Sequence, residues 1–140
     1  MATLTMRRTP THFGPLRVAI CVLAAATALV HLSLGAMTSA MLASQPALVA
    51  SVGGATALSI MAALFYCNCT GYIVLTTALY LPALRRCRRV ARATLIAFAM
   101  TTVLAYFALA QGHYDAFGFA DKLCEGLLIA LLVIEGRRGR

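Results

Sequence analysis

Apolar residues fill four long stretches of the chain, separated by short polar or basic breaks. From Leu16 to Met37 only Arg17, His31 and small hydroxyl residues interrupt the run. At about 1.5 Å per residue it is long enough to cross the roughly 30 Å hydrocarbon core of a bilayer. Residues 38–45 read as a short polar loop ending at Pro46. The next run, 47–81, would make one helix about 52 Å long, too much for a single crossing. We therefore expect a crossing over about 58–82, preceded by a separate interfacial or partly inserted segment over 47–57 that breaks near Gly53–Thr56. Pro82 and the arginines that follow predict a tight basic turn. A third span over about 93–110 ends at polar Gln111, Gly112, His113, Tyr114 and Asp115, and Phe117 and Phe119 read as interfacial anchors before a fourth span over about 118–135. Residues 1–15 read as a basic, disordered tail and 137–140 as a second basic tail. The expected fold is all-α: a four-transmembrane-helix bundle.

Composition agrees. Of 140 residues, 61% are hydrophobic and only 11% charged, whereas a soluble domain carries about 25% charged residues. This excludes a soluble globular domain, a disordered chain and a disulfide scaffold. The five cysteines (Cys21, Cys67, Cys69, Cys87, Cys124) are scattered and odd in number, so they form no disulfide framework. The alternative for the first run is a signal peptide headed by Arg7 and Arg8. Its length and its histidine favour a span.

The net charge of +8 decides orientation rather than partner class. Eleven of the twelve cations are arginines, in three clusters: Arg7, Arg8 and Arg17; Arg85, Arg86, Arg88, Arg89 and Arg92; Arg137, Arg138 and Arg140. Four crossings bring all three to one side, with both termini and the 83–92 turn cytoplasmic in a multi-pass plasma-membrane protein. The central cluster is expected to contact anionic headgroups. No basic stripe alternates with aromatics, so nucleic acid is not an expected partner.

Ionisable residues inside a span are costly, about 3 kcal/mol each on insertion scales, and mark candidate sites. His31 and Glu125 fall at similar depth in the outer half, with Tyr106 level with them and Asn68 and Tyr72 deeper. Asp121 and Glu125 share a helix face at i,i+4, and Lys122 reaches Glu125 at i,i+3. We expect His31 and Glu125 within hydrogen-bonding reach, directly or through one water. The cluster is then either a proton- or ligand-binding pocket or a clasp that fixes helix register, with Asp121 and Lys122 snorkelling to water. Too few ligands converge for a metal. Neither a cofactor motif nor a catalytic constellation is present.

His31-Leu-Ser-Leu-Gly35, Gly71-Tyr-Ile-Val-Leu-Thr-Thr-Ala-Leu-Tyr-Leu-Pro-Ala-Leu-Arg-Arg86 and Tyr114-Asp-Ala-Phe-Gly-Phe-Ala-Asp-Lys-Leu-Cys-Glu125 resemble a family of small four-helix integral membrane proteins from archaea and bacteria. That family pairs a His-Leu and Leu-Gly element in its first span with a short Arg-rich turn after the second, and has an Asp-Lys element entering the fourth. The resemblance covers most of residues 20–135. It implies topology and assigns no activity, and the apolar stretch 47–57 departs from the family's short first outer loop. The leading functional expectation is a non-enzymatic accessory or assembly subunit of a larger membrane complex, or a homo-oligomer. Alternatives are a small proton-coupled carrier using His31 and Glu125 and, behind it, a membrane enzyme acting on a lipid or quinone.

Overall fold

A computed structural model describes residues 14–51, 53–109 and 115–138, and every described element is helical. The order is α1 (Pro15–Ser44), a short α2 (Pro46–Ser51), α3 (Gly54–Tyr80), a 3-10 segment (Pro82–Cys87), α4 (Arg88–Leu109) and α5 (Ala116–Arg138). The expected tail up to Phe13 and the polar stretch Gln111–Tyr114 lie outside the described residues.

Two boundaries differ from the sequence expectation. Residues 38–44, expected in a loop, are the last turns of α1. Their hydroxyls join the helix: Thr38 and Ser44 each donate to the carbonyl four residues back, at 2.8 Å. The helix stops only at Gln45 (φ −134°, ψ 65°), because the ring of Pro46 disfavours helical geometry in the residue before it. The basic turn is likewise helical, and α4 starts at Arg88 rather than Ala93. Arginine is a good helix former, and Arg88 and Arg92, one turn apart, share an acceptor on α5.

Between α2 and α3 the chain breaks at two consecutive glycines, Gly53 (φ +107°) and Gly54 (φ +84°). An L side chain in this left-handed region costs about 1–2 kcal/mol, which glycine avoids.

Helix α1 packs on α3 and α5, and α4 packs on the same two, so the four long helices form a closed square. Each contributes one stripe at three- and four-residue spacing. On α1 it is Ile20, Ala24, Thr27, Ala28, His31 and Gly35, and on α4 it is Ala91, Leu95, Ala99 and Thr102. The stripe of α5 is charged at both ends (Asp121, Lys122 and Glu125; Glu135) and apolar between them (Leu128, Leu132). The bundle thus has an apolar middle, built around Ile20, Leu79, Leu95, Leu128 and Leu132, with an ionic cluster at either end.

The outer surface is apolar: Val22, Leu29, Ile60, Ile73, Leu104 and Leu123 are among the most exposed side chains. Three helical stretches, Pro15–Ser44, Gly54–Tyr80 and Pro82–Leu109, are long and apolar enough to cross a membrane. Large apolar groups turned outward and charges turned inward are the arrangement that lipid, not water, favours.

Candidate functional site

Asp121, Lys122 and Glu125 occupy one face in the first turns of α5, and the packing of α1, α3 and α4 closes over them. Glu125 is fully buried, and Asp121, Lys122 and His31 are each at least nine-tenths buried. The Lys122 ammonium lies between the two carboxylates, 2.7 Å from Glu125 Oε2 and 2.9 Å from Asp121 Oδ2. It does not snorkel. Solvent near this end would cost it both partners, and the ring of Tyr106, 5.8 Å away, covers its outer side.

The second oxygen of Glu125 accepts a hydrogen bond from the Tyr72 hydroxyl at 2.7 Å. Tyr72 was expected to lie deeper than Glu125. However, side chains on a helix lean toward its N-terminus, and α3 begins at the cluster's end, so the phenol reaches back up to the carboxylate. The Tyr72 oxygen also lies 3.0 Å from Thr102 Oγ1, whose single proton serves either Tyr72 or the Ala99 carbonyl at 2.8 Å.

His31 does not bond Glu125 directly, contrary to one form of the expectation. Its Nδ1 donates to the Thr27 carbonyl at 2.9 Å, so in the neutral ring Nε2 carries no proton. The ring packs against Phe65 and Tyr72, at centroid distances of 6.1 and 5.8 Å. One ligand-type atom from each of His31, Asp121 and Glu125 lies within 4.8 Å of the others. The sequence reading expected only two such groups to converge. Between the two carboxylates, the chain's own ammonium takes the place a cation would.

With His31 neutral, the cluster holds two carboxylates against one ammonium, a formal charge of −1. Asp121 Oδ1 is buried and has no hydrogen-bond partner among the described residues. One added proton, on His31 or on a carboxylate, would neutralise the site.

Among the other expected site residues, Tyr106 sits at the rim beside Lys122. Asn68 is half-buried on α3 and makes none of the cluster's hydrogen bonds. Arg85, Arg86 and Arg89 are exposed, whereas Arg88 and Arg92 turn inward to Glu135.

Glu135 was missed as a site residue. It is buried at the opposite end of α5, about 15 Å from Glu125 along the axis, and it gathers three arginines from two other helices. Arg88 approaches Oε1 at 2.6 Å, Arg17 the same oxygen at 3.4 Å, and Arg92 Oε2 at 3.1 Å. A lone acid just before a basic tail, in a chain with only four acids, was the available signal. Thr102 gave none, being one of several hydroxyls in an apolar run. No family model, curated protein or solved structure matches the chain.

Proposed function

We propose that this is a four-span plasma-membrane protein working as a small proton-coupled carrier, with the His31–Asp121–Lys122–Glu125 cluster as its proton site. The observation that carries the reading is the make-up of the cluster: two buried carboxylates share one buried ammonium, with a histidine within 4.8 Å. A clasp that only fixes register would be cheapest if balanced, since net charge in hydrocarbon is costly.

The fourth span is α5. Its 23 residues reach about 34 Å. Asp121, Lys122, Glu125 and Glu135 face the bundle, while Phe119, Leu123 and Leu127 face outward. Four crossings leave the arginine-rich end, with both termini, on the cytoplasmic side, the topology that the family resemblance implies.

The test is proton movement into proteoliposomes holding a trapped pH dye, after an external acid jump, with and without a panel of small solutes inside. The native protein should speed acidification over empty vesicles, and Asp115→Asn, an exposed acid outside the cluster, should behave alike. Glu125→Gln should abolish the effect while remaining folded. Equal rates for native protein and Glu125→Gln would defeat the proposal.

A second reading, an accessory subunit or homo-oligomer, is favoured by one feature. The lipid-facing side of α3 carries a shallow groove between Tyr66, Cys67, Thr70, Gly71 and Val74. The small exposed residues of this groove, Cys67 and Thr70, let another helix approach closely. Cross-linking through Cys67 in native membranes would support this reading, and a chain that remains monomeric would refute its oligomeric form.

A further inference from the structure

The arginine-rich end of the bundle is hollow. The start of α1, the start of α4 and the end of α5 enclose a cleft of about 1230 Å³, lined among the described residues by seven arginines and a single acid, Glu135. Three of the arginines (Arg17, Arg88, Arg92) are held by that glutamate. The other four, Arg85, Arg89, Arg137 and Arg138, pair with no acid among the described residues, and the chain has no acidic side chain to spare. Of its four acidic side chains, Asp121 and Glu125 are bound to Lys122. Asp115 caps the start of α5 through the Gly118 amide. The Nε–H donors of Arg88 and Arg92 are also buried without an acceptor among the described residues. No acidic side chain is therefore left over to serve the four.

Below the guanidinium groups the lining turns apolar, with Leu16, Ala93, Ile96, Leu132 and Val133. Val133 is also open to the outer surface of the bundle. Inorganic phosphate has no use for such a floor. A phospholipid has the same division: anionic head, apolar body. Arginine forks bind phosphate oxygens two at a time, and basic pockets between spans on the cytoplasmic side suit anionic headgroups. The volume exceeds the roughly 300–1,000 Å³ of ordinary small-molecule sites, leaving room for the first part of the acyl chains.

We infer that this cleft is a binding site for one anionic phospholipid, its phosphate on the unpaired arginines and its chains leaving over Ile96 and Val133. Four unpaired cations favour a headgroup with two phosphates over one. Glu135 acts here as a positioning residue: it holds Arg17, Arg88 and Arg92 against the wall and keeps the cleft open. The inference needs the membrane reading but not the proton site.

The test is native mass spectrometry of the full-length protein, released from a neutral detergent containing phosphatidylglycerol, cardiolipin or phosphatidylcholine. Cardiolipin should be retained best and phosphatidylcholine not at all, and millimolar inorganic phosphate should not displace the lipid. Arg85→Gln with Arg89→Gln, which breaks no internal ion pair, should weaken retention about thirtyfold, taking each arginine at the usual strength of a basic residue near an anionic membrane. Arg86→Gln removes the same charge from the same turn but outside the cleft and should change little. Glu125→Gln should leave retention intact whether or not it alters proton movement. Three results would overturn the site: an Arg86→Gln loss equal to that of an Arg89→Gln variant, equal retention of phosphatidylcholine, or displacement by phosphate.

Discussion

Replacing Lys122 with methionine probes the charge cluster most sharply. The two side chains are similar in length, so the change removes charge and leaves most packing. In the native chain the ammonium serves two carboxylates at 2.7 and 2.9 Å, all three groups less than a tenth exposed. With His31 neutral, Lys122→Met takes the cluster from −1 to −2. Breaking a buried pair by removing one partner costs about 3–5 kcal/mol. Glu125→Gln takes the cluster from −1 to 0, and its amide can still accept from Tyr72, so the loss should be no more than about 1 kcal/mol. The double variant returns to −1 and should be more stable than Lys122→Met alone, with a coupling of about 1–3 kcal/mol. The chain has no tryptophan, so unfolding is best followed by far-ultraviolet circular dichroism in detergent with added denaturant. If Lys122→Met were as stable as Glu125→Gln, or the double variant were worse than both singles summed, the charge argument would fail.

Glu135→Gln should lower stability by about 1–2 kcal/mol, less than Lys122→Met, because its arginine partners are partly exposed and screened; the same melts measure it. Gly71→Ala should cost about 1–3 kcal/mol through overpacking, since a Cβ there would lie 2.4 Å from Phe98 Cζ. Gly35→Ala, whose Cβ would meet the Tyr66 ring at 3.1 Å, should cost less, and the reverse order in a melt would refute the packing account. Cys87, exposed in the basic segment, should resist a membrane-impermeant maleimide in intact cells and react after lysis. Labelling from outside would invert the topology.

How much could be read from the chain beforehand follows from which forces act locally. Apolar length and paired glycines act locally on the chain, so the helical segments and the break at Gly53–Gly54 were legible. Helix ends were not. The loop expectation at 38–44 weighed Ser and Thr as polar, whereas a hydroxyl that bonds back to its own helix continues it. His31, Asp121, Lys122 and Glu125 were visible as misfits in apolar runs, yet their partners depended on side-chain direction. Tyr72 reaches a level its backbone does not occupy, and Lys122 turns inward because two acids outweigh the route to water. Arg88 and Arg92 looked like any other members of a basic run. Only the packing of α4 on α5 distinguishes them from Arg85 and Arg89.

The proton site itself can be observed at the atoms concerned. The chain holds only four acidic residues, two aspartates and two glutamates, so side-chain carboxyl ¹³C labelling gives four resonances that Glu135→Gln and Asp115→Asn assign by deletion. Followed by NMR over the pH range in which the protein stays folded, Glu125 and Asp121 should shift together with the ¹⁵N signal of His31 in a single one-proton step. The step should vanish in Glu125→Gln. Carboxyl and imidazole signals at the cluster that stay fixed across that range would contradict the account and leave the cluster a clasp.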